Sequence, residues 1–167
     1  MRSRDLLDSS KSKGIVVNTS QQHLNEVKAF VRQRSDVLSS YKGTAGIKAV
    51  GVDIASVHRI ASLIDRYDRE TLNLLFTPRE VDLCQSANDP HQLYTVCFAT
   101  KEAVGKALGT GLAGIGWNQI EANLAYREFS ISLHGEARIQ AERRGVRDWL
   151  MNWFHWDEHV LVHVLAQ

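Results

Sequence analysis

An α+β fold is what this 167-residue sequence predicts. Two patterns carry that expectation: long stretches of helical apolar periodicity, and shorter apolar runs between and after them that read as mostly antiparallel strands. The elements follow in order. Residues 1–20 are polar, rich in Ser and Lys, and read as poorly ordered. From Gln21 to Ser39, Leu24, Val27, Val31 and Leu38 make an amphipathic helical stripe. Ile47 to Asp53 reads as a buried strand ending in an acid, and Val57, Ile60, Ala61 and Ile64 share one face of the helix after it. A short helix is expected around Glu70–Phe76. Thr77-Pro78-Arg79-Glu80 then combines a capping hydroxyl, a first-turn proline and a third-position Glu, which together form a capping box.

Asn88-Asp89-Pro90 stops that helix. His91 to Leu108 is the longest helical segment, with Leu93, Val96, Thr100, Ala103, Ala107 and Leu108 near one side and Gly109 at the C′ position. Ile115–Asn123 and Phe129–Leu133 read as strands, Ala137–Arg144 as a helix, and Trp149–Phe154 and Val160–Leu165 as closing strands.

An apolar fraction of 44% is enough for a real core, and the formal net charge of +1 gives no global reason to expect nucleic acid or a membrane surface as partner. No run approaches the roughly 18 apolar residues that cross a bilayer. The N-terminus lacks the apolar stretch of a secretory signal. Cys84 and Cys97 form no CxxC, so neither a disulfide framework nor a zinc knuckle is expected. A reduced, cytoplasmic protein is the expectation. Charge divides the chain: residues 1–46 carry eight basic side chains against four acidic, and residues 47–167 twelve against fifteen. The boundary falls at Gly43-Thr44-Ala45-Gly46, a turn or short linker. This predicts a basic N-terminal extension with one amphipathic helix over 1–46, and a compact domain over 47–167.

Glu102 and Lys106 lie one helical turn apart. Their ordinary reading is an exposed salt bridge, but Phe98, Ala99, Ala103, Val104, Ala107 and Leu108 surround them, which suits a pair lining a cleft. Asp53, after Ile and Val, reads either as a helix cap or as a carboxylate at a strand end. A strand-end carboxylate met by a second from a distant helix is a common way to hold Mg²⁺, which takes hard oxygens and keeps room for waters and phosphates. Gly109-Thr110-Gly111-Leu112-Ala113-Gly114 spells GxGxxG but follows a helix, so the dinucleotide-fold reading is rejected. These glycines instead cap the helix and let backbone approach a ligand. His155, Asp157, His159 and His163 crowd the C-terminus without convincing zinc spacing, and Trp149, Trp153 and Trp156 read as packing residues.

Four motifs in register give these segments a family resemblance. Gly51-Val52-Asp53 is followed by Arg59-Ile60. Phe76-Thr77-Pro78-Arg79-Glu80 comes next, then the unbroken run from Phe98 to Gly111 with Lys101-Glu102-Ala103, Lys106 and Gly109-Thr110-Gly111, and finally Leu133 to Ala137. Residues 47–167 resemble the small, trimeric holo-acyl-carrier-protein synthases, the 4′-phosphopantetheinyl transferases. The resemblance implies that family's fold, a mostly antiparallel sheet packed against the long helix. It implies a reaction in which 4′-phosphopantetheine passes from coenzyme A to a serine of an acyl carrier protein, releasing 3′,5′-ADP, for fatty-acid or polyketide biosynthesis. It further implies Mg²⁺ held by Asp53 and Glu102, and Lys106 on the phosphate under attack. Lys101, Gly109, Thr110, Gly111 and His155 would lie near the nucleotide, Arg59 would meet the carrier, and active sites would lie between the subunits of a homotrimer.

The chain departs from the family pattern at Asn152 and Phe154, where serines are usual before the late histidine, at Cys97, where an arginine is usual, and at Leu124–Glu128, where a Gly-Lys-Pro turn is usual. These departures motivate a competing reading, a coenzyme A-binding or carrier-docking module without turnover.

Overall fold

The computed structural model describes residues 46–125 and 128–167. The N-terminal extension and its amphipathic helix lie outside them, Gly46 excepted. The elements are β1 (Ala49–Ser56), α1 (Val57–Ile64), α2 (Arg69–Leu75), α3 (Pro78–Gln85), α4 (Pro90–Ala107), a 3-10 turn (Trp117–Gln119), β2 (Ile120–Ala125), β3 (Glu128–Leu133), α5 (Gly135–Arg143), β4 (Trp149–Trp156) and β5 (His159–Ala166). Strands β1, β5 and β4 form one antiparallel sheet in that order, and β2 and β3 form a separate antiparallel pair. The α+β expectation holds.

Helix boundaries follow local chemistry. The Thr77 hydroxyl accepts from the Glu80 amide while the Glu80 carboxylate accepts from the Thr77 amide, so the expected capping box is present. Asn88-Asp89-Pro90 does more than end a helix: Asp89 caps α4 by accepting from the Gln92 amide, and Pro90 occupies its first turn. The strand expected over Ile115–Asn123 begins only at Ile120. Before it the Gln119 side chain accepts from the Gly116 amide and closes a tight turn instead.

Two expectations about β1 need correction. Asp53 neither ends the strand nor caps a helix, because Ile54 and Ala55 extend the strand and the Ser56 side chain caps α1 through the Arg59 amide. Nor is the strand buried on both faces. Gly51, Asp53 and Ala55 face α4, whereas Val50, Val52 and Ile54 point the other way and are 55%, 44% and 55% exposed.

The core lies between α4 and the sheet, where Val160, Val162 and Val164 of β5 are fully buried. Helix α4 is buried almost all round: between Tyr94 and Gly105 every residue except Glu102 is buried. Cys84 on α3 and Cys97 on α4 are free thiols in contact, their sulfurs 3.9 Å apart. Contact with the Cys84 thiol, and then burial, raises the Cys97 pKa well above its ordinary value. No helix among the described residues is long and apolar enough to cross a membrane.

Candidate active site

The site forms where β1 crosses α4. Gly51 makes the crossing close: a Cβ there would overlap the Ala103 carbonyl oxygen, so only glycine lets the strand lie directly on the helix. Two residues further along the same face, Asp53 meets Lys106 with its Oδ1 2.7 Å from the ammonium, which also donates to the Val52 carbonyl at 3.0 Å. The Asp53 side chain is 13% exposed and that of Lys106 50%, so the pair sits at the mouth of the crossing. The alternative i,i+4 bridge from Glu102 to Lys106 is not formed, because Lys106 turns to β1. Glu102, one helical turn earlier on the same stripe, is half-buried and has no hydrogen-bond or ion-pair partner among the described residues. Two carboxylates are thus grouped about one lysine, Asp53 by direct contact and Glu102 by helical spacing. A hard divalent cation suits that donor set: both offer carboxylate oxygens, and one is unengaged.

Lys101 corrects its expected role. It was placed near the nucleotide, but it is fully buried and faces the opposite side of α4. Its ammonium donates to Glu80 Oε2 at 2.7 Å and to the Ile120 carbonyl. Glu80, equally buried, also accepts from the Thr77 amide at 2.8 Å and, through Oε1, from the Ala122 amide at 2.8 Å. The Thr77 hydroxyl continues the network to Glu121. With its ammonium held by Glu80 and the Ile120 carbonyl and its side chain without exposure, Lys101 has no open route to a ligand.

After Leu108 the chain turns through Gly109, Gly111 and Gly114 at φ +70°, +58° and +73°, a left-handed sequence that only glycine adopts cheaply. Thr110 Oγ1 donates to the Gln140 side chain at 3.2 Å, which ties this loop to α5. His155 is exposed on β4, on the α4 face of the sheet but two strands from Asp53, roughly 10 Å across the ladder. Within one chain His155 therefore does not join the two acids. His155 and His163 point to opposite faces of the sheet, and His159 lies four strand residues from His163, so the C-terminal histidines diverge.

Arg59 lies on α1 in a groove of about 440 Å³ lined also by His58, Ser62, Leu63, Arg66 and Tyr67. Arg59 and Arg66 have no acidic partner among the described residues. Arg66, in the turn just past the end of α1, was missed in the sequence, where no helical spacing marks it. The departures from the family pattern lie away from the acids. Cys97 packs in the core against Cys84. Asn152 and Phe154 lie on the sheet face opposite α4, where Phe154 stacks on Trp156. Tyr126 and Arg127 lie outside the described residues.

This chain belongs to the 4′-phosphopantetheinyl transferase superfamily, which residues 49–161 match. Among its relatives is a holo-[acyl-carrier-protein] synthase of Gloeobacter violaceus, 36% identical over 125 residues, an alignment covering 73% of this chain and 94% of the relative. A second, of Desulforudis audaxviator, is 37% identical over 121 residues, 72% of this chain and 92% of the relative. The crystal structure of holo-[acyl-carrier-protein] synthase from Neisseria meningitidis superposes with a TM-score of 0.65 at 25% identity, covering 73% of this chain and 99% of that one. The Helicobacter pylori enzyme in complex with coenzyme A shares the fold, with a TM-score of 0.60 at 22% identity, over 71% of this chain and 99% of that one.

Proposed function

We propose how this phosphopantetheinyl transferase moves the 4′-phosphopantetheine arm from coenzyme A to an acyl-carrier-protein serine: Asp53 and Glu102 hold one Mg²⁺, and Lys106 supplies a second positive charge. The observation that carries this is the Asp53–Lys106 contact where β1 crosses α4, with the half-buried Glu102 one helical turn from Lys106. The serine oxygen forms a bond to the β-phosphorus, the bond from that phosphorus to the bridging oxygen breaks, and 3′,5′-ADP departs. Negative charge shifts onto the diphosphate, so positioning and charge neutralisation do most of the work. Magnesium would polarise the diphosphate oxygens and take part of that charge. Lys106, half-exposed beside Asp53, would donate to the same phosphate. The Gly109-Thr110-Gly111 loop, left-handed at both glycines, would approach the nucleotide.

The carrier docks on α1. Arg59 and Arg66, lacking acidic partners within the described chain, suit an acidic helix, and such complementarity raises the encounter rate. Charge reversal at Arg59 (Arg59→Glu) is expected to raise the carrier KM at least tenfold with coenzyme A KM unchanged; an unchanged carrier KM removes this docking face.

The assembly is a homotrimer built on the outer face of the β1–β5–β4 sheet. Exposed Val50, Val52 and Ile54 continue there into Leu161 and Leu165, an apolar surface that the described residues leave uncovered. Sedimentation of Val52→Asp is expected to give monomer where the parent gives trimer; a trimeric variant contradicts this interface.

The activity is tested by mass spectrometry on apo carrier protein. The parent chain adds one phosphopantetheine, while Asp53→Ala and Glu102→Ala fold normally and transfer at least about a thousandfold more slowly. Near-parental turnover by either variant would remove the metal assignment.

A further inference from the structure

Helix α4 carries two consecutive charged residues with opposite surroundings: Lys101 is wholly inside the protein and Glu102 is the single unburied position in twelve. Consecutive residues on a helix point about 100° apart, so fixing one fixes the other. Lys101 is held by Glu80 of α3 and by the Ile120 carbonyl at the start of β2. Glu80 in turn accepts from Thr77, at the N-terminus of α3, and from Ala122 of β2. Three elements thus converge on one ammonium–carboxylate pair on the side of α4 away from β1. On the near side Gly51 lets β1 lie against the Ala103 backbone.

Stability alone is a weak reason for such a pair. Taking two charges out of water costs several kcal/mol each, and apolar replacements of similar volume are often neutral or better. What a buried pair bonded to three elements supplies is geometry: it favours one rotation of α4 and one height of that helix against β2. We infer that Glu80 and Lys101 are positioning residues, which set the roll of α4 so that Glu102 points toward Asp53. The inference rests on the two-acid metal reading above. It replaces the direct ligand contact first expected of Lys101 with action through its neighbour in sequence.

The experiment is equilibrium titration of the full chain with Mn²⁺ in the presence of coenzyme A, read by electron paramagnetic resonance. The double variant Glu80→Leu/Lys101→Met removes both charges together and is expected to keep a cooperative melt. Its Mn²⁺ dissociation constant should rise about tenfold, as when support of a metal ligand is removed, while turnover at saturating metal stays near the parent's. Val96→Ala, a core truncation on the same helix, should lower the melting temperature without moving metal affinity. A folded double variant binding Mn²⁺ within twofold of the parent overturns the inference. Should it not fold, Glu80→Asp, which draws the carboxylate back by one methylene, is expected to weaken Mn²⁺ severalfold; parental affinity there overturns it equally. A parent chain that binds no Mn²⁺ overturns the two-acid reading itself, and the inference with it.

Discussion

Helix α4 carries two lysines five residues apart, and each is paired with an acid at 2.7 Å. Lys101 and Glu80 are fully buried and joined to backbone on both sides, whereas Lys106 is half-exposed and meets Asp53 at the mouth of a crossing. Identical distances therefore describe opposite roles. Inside, where neither charge has water to fall back on, a pair cannot lose one member cheaply. At the surface solvent screens the attraction, the pair adds little stability, and the lysine is available to a ligand.

The largest expected effect breaks the buried half of this comparison. Lys101→Ala strands a buried carboxylate and is expected to destabilise the fold by about 3–5 kcal/mol, measured by urea unfolding. A loss under about 1 kcal/mol would mean that Glu80 reaches water. The exposed half should invert that pattern. Lys106→Ala should cost at most about 1 kcal/mol in the same unfolding measurement, yet slow carrier modification about a hundredfold or more. Wild-type turnover in that variant would leave Lys106 a surface ion pair only.

How much of this was legible in the sequence follows from the range of each interaction. The capping box at Thr77 and Glu80, the proline at the start of α4 and the left-handed Gly109 are local, and the residues themselves announce them. The partner of Lys101 lies 21 residues earlier on another helix, so the place near the nucleotide that the resemblance implied gives way to a buried ion pair about 100° round the helix from Glu102. Burial of β1 was overestimated for a related reason. A strand apolar on both faces looks buried, and only the arrangement of helices reveals that one face has no layer over it among the described residues. Asp53 and Glu102 each stand out as acids among apolar neighbours, which is why the sequence offers both as candidate metal ligands. That Lys106 would choose Asp53 over Glu102 depended on where β1 crosses, which no spacing encodes.

The smallest effect concerns that uncovered face. His163 lies at its centre between Val52 and Asn152, and burial lowers its pKa from the ordinary 6.5. The folded state thus prefers the neutral ring, and the unfolded chain takes up the proton more readily. The stability this gives is complete above pH 6.5 and is lost as acidification passes from there toward the folded-state value. Melting temperature should therefore fall between pH 7.5 and 5.5, and His163→Gln should flatten part of that slope. Equal slopes in both proteins would show that the ring does not lose its proton preference on folding.

The central claim is that two acids from distant parts of the chain share one cation, and a double-mutant cycle on metal binding tests it most directly. With coenzyme A present, Mn²⁺ affinity is measured for the parent, Asp53→Asn, Glu102→Gln and the combination. The account predicts one ion per chain, most of the affinity lost with either substitution, and a double variant scarcely worse than the singles, because one shared site cannot be removed twice. Full affinity in either single variant, or strictly additive losses, would contradict it.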